Sequence, residues 1–342
     1  MRNIKNNNKK SFLKKIFIKL CRILGYEIID QNNFYFPVSE KSLEDNISVL
    51  GNKSITIPLG ETKIIRSVKS LDIIVKTCTT VNLVTQNKKR IFEHNKSEYT
   101  FRTIKSLLRS LNYDKNLFKK LNTKITIIDH NSKNSDLLFL RSQLDQSSFD
   151  YEILNLNVDE FTQIKVLDKN NPKIEKNMKS TMASILKSFQ IAKEKANDLV
   201  YFVEDDYVHR ENSLVEMIFA YEKIASIIKK ELFLCPVDYP YLYKSAEKTN
   251  ILIGHRYHWR VVNESLLTFM TSKDMINKHW NKFIEMSEIE HSPFETLLHK
   301  IYEEEICLSP IPSLAMHCTN VNSIFGLSPN IEWEKIWNEN KI

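Results

Sequence analysis

Glycine is scarce: the 342-residue sequence holds only five. No G-x-G-x-x-G occurs, so a dinucleotide-binding turn of that type is excluded. Cysteine is scarce as well. Cys21, Cys78, Cys235, Cys307 and Cys318 are odd in number, widely spaced and free of any CxxC, which argues against a disulfide framework or a structural zinc site and fits a reducing cytosol. No apolar run reaches the roughly 18 residues that a membrane span needs. The early apolar stretch is broken by Lys14, Lys15 and Lys19, the wrong pattern for a cleavable signal peptide. Neither sign of charge dominates. With 49 Lys and Arg against 42 Asp and Glu, the formal net charge is +7, a mild excess that points to no nucleic-acid partner. No internal repeat is present.

What remains is an ordinary globular composition, 42% hydrophobic and 27% charged, long enough for a substantial core. Residues 1–70 read as an N-terminal extension. Within it, residues 9–25 have Leu13, Ile16, Phe17, Leu20 and Leu24 at helical spacing. Lys14, Lys15, Lys19 and Arg22 fill much of the rest, with Ser11 placed to cap the start and Gly25 to stop the end. Such a basic amphipathic helix either lies on an anionic membrane surface or packs on its own protein. A short strand is expected at Ser54–Pro58.

From residue 71 strand and helix alternate. Strands are predicted at Leu71–Lys76, Lys124–Ile128, Tyr151–Leu156 and Leu199–Val203. Helices are predicted at Glu98–Leu111, Leu137–Leu144, Met178–Ala196 and Ser213–Lys229. This order predicts an α/β domain with a mostly parallel sheet, whose ligands sit beyond the carboxyl ends of the strands. Two acidic turns fall there. One is Asp129, followed by His130, Asn131 and Ser132; the other is Glu204, Asp205 and Asp206. Three adjacent carboxylates repel one another unless a cation sits among them. A hard divalent ion, Mn²⁺ or Mg²⁺, takes oxygen ligands and is commonly shared with substrate phosphates. The plainer alternative is a solvated acidic turn before the next helix.

These segments resemble the nucleotide-binding half of GT-A glycosyltransferases, close to the family-2 type. LDIIVK precedes an amphipathic helix, KITIIDHNS ends a strand in an acid and a polar turn, and STMASILKSFQIAKEKANDLVYFVEDD runs from a helix into a strand bearing a D-x-D-like motif. The resemblance spans about residues 71–330. It implies a GT-A (Rossmann-like) domain over 71–342, with a nucleotide-binding half at 71–206 and an acceptor half at 207–342. It also implies an inverting, hexosyltransferase-like transfer from a nucleotide-sugar donor to a glycan or lipid-linked acceptor, in cell-surface polysaccharide synthesis, by a cytoplasmic or peripheral inner-face protein. By position, Asp129 matches the acid that contacts the base. Glu204 and Asp206, with Asp205 between, match the acids that bind ribose and metal. The first acid is Glu where the family has Asp, and the segment after strand one, Thr77–Lys96, is longer than the family's turn.

In the C-terminal half, the stretch from His255 to Arg260 gathers histidine, arginine and tryptophan, which suits a sugar or diphosphate. Arg256 is the candidate contact, against the alternative of an ordinary half-buried strand. Residues 291–300 read as a helix start, with Ser292 as the cap, Pro293 in the first turn and Glu295 completing a capping box. GT-A inverting enzymes place a carboxylate base at a helix start in this chain order, so Glu295 is the candidate general base, with Asp238 and Glu264 as rivals. A Pro-rich loop over 308–319 delivers His317, which resembles the C-terminal-loop histidine that completes a GT-A metal site beside Glu204 and Asp206. Trp333 and Trp337 should pack the tail onto the domain. Two other readings are weaker. A receiver-like domain would open with its acidic pair, and a nucleotidyltransferase would carry a glycine-rich loop after strand one, where Thr77-Cys78-Thr79-Thr80 stands. A non-catalytic sugar-nucleotide-binding relative is the remaining alternative.

Overall fold

The computed structural model describes residues 12–26, 54–57, 60–80, 90–167, 171–244 and 249–342. The chain divides into two compact units, 1–64 and 65–342. The first holds helix α1 (Phe12–Ile23) and an antiparallel pair, β1 (Ser54–Ile57) with β2 (Gly60–Lys63). Gly25 ends α1 as expected. At φ +83° it lets the Tyr26 N–H reach the Cys21 carbonyl at 2.9 Å, the reverse-turn closure that a Cβ would strain. Ser11, the expected cap, lies outside the described residues.

The second unit is built on a nine-stranded sheet. Its first half contains β3 (Leu71–Thr77), β4 (Lys124–Asp129), β5 (Asp150–Asn155) and β6 (Leu199–Glu204) in the spatial order β5-β4-β3-β6, all parallel. Helices α2 (Lys96–Tyr113), α3 (Lys115–Lys120), α4 (Asn134–Asp145) and α5 (Pro172–Lys195) connect these strands. Helix α5 starts six residues before the sequence expectation (178 − 172). Asn171 caps it by accepting from the N–H groups of Lys173 and Ile174, with Pro172 in its first turn, a start signal that polar composition had masked.

After β6 come the short β7 (Tyr207–His209), α6 (Ser213–Ile228), β8 (Phe233–Leu234), β9 (Ile251–Ile253), β10 (His258–Val262), β11 (Phe269–Ser272), α7 (Lys273–Lys278), α8 (Trp280–Glu288), α9 (Thr296–Tyr302), β12 (Cys307–Ile311), β13 (Ala315–His317) and α10 (Trp333–Glu339). Strand β11 reverses direction beside β6, and the sheet continues as β11-β8-β12-β10-β9 with mixed pairing. The expected Pro-rich loop over 308–319 is two strands. Pro310 sits in β12 opposite Trp259, beyond the two residues that β8 pairs, where a missing N–H costs no ladder bond.

Alternate residues of each strand serve opposite faces. Ile73 and Val75 join one core with α2, α4 and α6, whereas Ile74 joins the other with α5, α7, α8 and α9. The result is a three-layer α/β sandwich. A third cluster seals the tail: Trp337 stacks on Phe92 with centroids 4.2 Å apart and lies under the Arg102 guanidinium at 4.0 Å.

Candidate active site

The carboxyl ends of β3, β4 and β6 open into one cleft, continuous with solvent. Its walls include Lys76, Thr77 and Cys78 from β3, His130 after β4, and the acidic turn Glu204–Asp206 after β6. Asn177, Ser180, Thr181 and Ser184 on one face of α5 also line it, as do Glu295, His317 and Thr319. Both acidic turns fall at strand ends, as the sequence predicts, but their carboxylates take different parts.

The acidic turn is resolved into three pairs. Glu204 meets Lys76, its register partner on β3, at 2.9 Å. Asp205 ion-pairs with Lys96 at the start of α2 and accepts from the Thr100 hydroxyl at 2.9 Å and the Cys78 N–H at 3.2 Å. It therefore ties β3, β6 and α2 together. Burial disfavours the Lys96 ammonium, but Asp205 and Asp206 outweigh it and raise its pKa. Asp206 accepts from the Thr319 hydroxyl and stands 3.6 Å from His317.

His317 is presented by the small antiparallel pair β7–β13, where it lies opposite Tyr207. Its Nδ1 is 2.9 Å from the Phe325 carbonyl. A carbonyl only accepts, so Nδ1 carries the hydrogen and Nε2 is turned toward Asp206. Burial opposes both charges. Even so, the attraction within the pair dominates, raising the pKa of His317 and holding that of Asp206 well below the ordinary carboxylate range.

A divalent ion fits this pair. An oxygen and an imidazole nitrogen 3.6 Å apart can both reach one ion at roughly 2.1 Å, and the Phe325 carbonyl fixes the ring as outer partners of metal ligands do. Glu204 does not join them, because it is turned to Lys76. Among the described residues no three His, Cys, Asp or Glu converge as a ligand set. Such an ion would draw its other ligands from substrate phosphate and water.

Several expected contacts lie elsewhere. Asp129 is 2% exposed and does not line the cleft. Its oxygens accept from the Thr77 hydroxyl at 2.7 Å and the Ser132 N–H at 3.2 Å, so it holds the strand ends together. Arg256 is an exposed residue of the β9–β10 turn. Its N–H, with those of His255 and Tyr257, donates to Glu216 of α6, away from the cleft. Asp238 is buried in an ion pair with Arg260 and accepts from the Tyr243 hydroxyl, so it is not an available base. The Glu264 carbonyl accepts from the Tyr241 hydroxyl at 2.6 Å, and Glu264 is not in the cleft wall.

Glu295 is in the wall, and the capping box is not formed. The Thr296 N–H returns to the Pro293 carbonyl and the first helical bond runs from the His299 N–H to the Glu295 carbonyl. Helix α9 thus begins after Glu295, whose side chain makes no cap hydrogen bond.

Lys76, Lys96 and His130 were not singled out from the sequence. Lys96 carried a usable signal, since a cation in the first turn of a helix opposes the macrodipole and calls for a local anion.

No protein-family model matches the sequence, and no curated protein matches it. Solved structures are similar at low identity. The crystal structure of S. aureus TarS 1-349 is 10% identical with a TM-score of 0.33, over 64% of this chain and 57% of that one. The galactosyltransferase LgtC with donor and acceptor sugar analogues is 10% identical with a TM-score of 0.33, over 68% of this chain and 66% of that one. A UDP-glucose pyrophosphorylase with UDP-glucose is 7% identical with a TM-score of 0.38, over 80% of this chain and 97% of that one. This chain therefore spans little more than half the length of TarS 1-349.

Proposed function

We propose that this chain is a GT-A-type glycosyltransferase that moves a sugar from a nucleotide-sugar to a hydroxyl of a glycan or lipid-linked acceptor. One observation carries the reading. The Asp206–His317 pair and the Glu295 carboxylate share a single cleft at the carboxyl ends of parallel strands, where open α/β sheets bind ligands. Asp206 and His317 would hold Mn²⁺ or Mg²⁺, which supplies positive charge at the departing diphosphate. Lys76 and Lys96 lie in the same wall, each neutralising one acid of the turn.

Glu295 takes the proton of the acceptor hydroxyl. The acceptor oxygen bonds to the anomeric carbon as the bond from that carbon to the diphosphate oxygen breaks. The electron pair leaves on the nucleoside diphosphate, and the configuration inverts. In the same proposal, the cationic and apolar faces of α1 carry the protein to an anionic membrane surface, where a lipid-linked acceptor would lie.

The test is a donor panel: purified chain, Mn²⁺ or Mg²⁺, and several nucleotide sugars, scored for nucleotide release. Metal-dependent release from one donor supports the transferase. Tight nucleotide binding with no release under any acceptor supports a non-catalytic sugar-nucleotide binder.

A further inference from the structure

A second groove lies at the far end of α2. Lys96 opens this helix in the cleft, and Tyr113 closes it, roughly 25 Å away. Tyr113 is 44% exposed, and two adjoining hollows share it and Asn212. One hollow continues past Arg210, Tyr257 and Glu332, and the other ends on His255 and Arg256. None of these residues lines the cleft.

The groove is set before any ligand arrives. The Asn212 side-chain amide donates to the Tyr257 hydroxyl at 3.2 Å, and the Tyr257 carbonyl accepts from the Gly254 N–H at 2.8 Å. The Arg210 guanidinium lies 5.9 Å from the centre of the Tyr257 ring. Among the described residues it forms no ion pair, and neither does the Arg256 guanidinium. The acids of the groove are paired. Glu211 and Glu339 both turn to Arg109, at 3.7 and 3.6 Å, and Glu332 meets Lys335 at 3.1 Å. A carboxylate paired in this way keeps lone pairs for further donors.

The walls therefore present two aromatic rings, two uncompensated guanidinium forks and three carboxylates that can accept from hydroxyls. A small inorganic anion would leave the tyrosines unused. A nucleic acid carries a charge on every residue and would meet the three carboxylates as well as the guanidiniums. A neutral sugar would leave both forks unpaired. An acidic oligosaccharide uses every element: its C–H faces lie on the rings, its hydroxyls donate to the acids, and its carboxylate takes an arginine fork by two parallel hydrogen bonds.

We propose that this groove is a second binding site, separate from the cleft, for an oligosaccharide that bears carboxylate groups. Binding here requires neither metal nor nucleotide and does not depend on the transferase reading.

The experiment incubates the full chain, in EDTA, with an immobilised array. The array holds uronate- and sialate-bearing oligosaccharides, their carboxyl-reduced neutral parents and a single-stranded oligonucleotide. Wild type should hold at least one acidic oligosaccharide about tenfold more tightly than its neutral parent. Arg210→Gln and Arg256→Gln should each weaken that binding by about tenfold. Arg256 is exposed in a turn, so its replacement leaves the fold in place. Asp206→Asn, a change in the cleft, should bind the array as wild type does. The proposal is overturned if no acidic oligosaccharide is held, if either arginine variant binds like wild type, if the oligonucleotide binds more tightly, or if Asp206→Asn loses the binding. None of these outcomes alters nucleotide release in the donor panel, so the transferase reading stands or falls separately.

Discussion

The imidazole of His317 lies flat on the ring of Tyr207, centroids 4.6 Å apart and planes 13° from parallel. The two residues face each other across the β7–β13 ladder, and Tyr207 directly follows Asp206. One stacked pair therefore sets the distance between the last acid of the turn and the histidine from the far end of the chain. The Tyr207 hydroxyl lies 2.7 Å from that of Tyr239, which anchors the stack from below. This is preorganisation by packing: the candidate metal pair is positioned by rings whose freedom is already lost on folding.

Asp206→Asn should keep the hydrogen bond from Thr319 and hence the fold, while removing the charge that a divalent ion needs. Outer partners of metal ligands alone cost 10–100-fold in affinity when changed. The expected outcome is at least a hundredfold loss of metal-dependent nucleotide binding, with little change in melting temperature. Titration heats unchanged from wild type would remove Asp206 from the metal site.

His209 should give the folded state a measurable acid sensitivity. It is 1% exposed, its Nε2 is 2.6 Å from the Tyr201 hydroxyl, and burial lowers its pKa to about 3. The folded pKa is depressed, so the unfolded chain takes up a proton that the folded one refuses. Stability from this group is complete above the ordinary histidine value of about 6.5 and is lost as pH falls toward 3. The slope is about 1.4 kcal/mol per pH unit, or about 2 kcal/mol between pH 6.5 and 5. Denaturant melts of wild type and His209→Gln at both pH values measure the difference. Parallel pH dependence in the two proteins would contradict it.

The parts of this architecture legible in the sequence are those set by local pattern. Apolar runs mark β3, β4 and β6, and sheet geometry puts both acidic turns at one end. Trp333 and Trp337 pack the tail as their size suggests. What stayed hidden depends on pairing over distance. Asp205 finds Lys96 across 109 positions, and Glu204 finds Lys76 only because β3 and β6 are neighbours. Prolines disguised β12 as a loop, since a strand that is unpaired on one side at Pro310 tolerates them. The Ser292-Pro293-Glu295 pattern reads as a cap, yet the chain turns back at Pro293 and frees Glu295 from that role. Arg256 and Asp238 show the opposite failure: Arg256 stands in an exposed turn where its backbone N–H donates to Glu216 of α6, and Asp238 is held by Arg260 of β10.

Helix α1 exposes Leu13, Ile16, Phe17, Leu20 and Leu24, and its sequence carries Lys14, Lys15, Lys19 and Arg22 with no acid. Among the described residues no helix is long and apolar enough to cross a membrane. The proposed role is adsorption at an anionic surface, where each cation contributes on the order of 1 kcal/mol. Replacing the four cations with Gln should abolish most co-sedimentation with phosphatidylserine-containing vesicles. Removing the phosphatidylserine or raising the salt should mimic the substitution. Equal binding of both proteins to these vesicles would assign the apolar face of α1 to a protein contact instead.

The last prediction concerns the base. Glu295 lines the same cleft as Asp206 and His317, and it is the one carboxylate among the sequence-derived base candidates that does. Its rivals are excluded by position: Asp238 is locked to Arg260, and Glu264 stands outside the wall. The capping-box role does not apply to Glu295, because α9 starts one residue after it and its side chain makes no cap bond. Glu295→Gln tests the base directly, because the amide keeps the length and size of the side chain but cannot take a proton. Turnover should fall by roughly 10²–10⁴-fold, with nucleotide affinity and melting temperature held near wild type. Because the base acts only after donor binding, KM for the donor should change far less than kcat. Near-normal kcat in this variant would eliminate Glu295 as the base and favour a retaining transfer, which needs no carboxylate at that position.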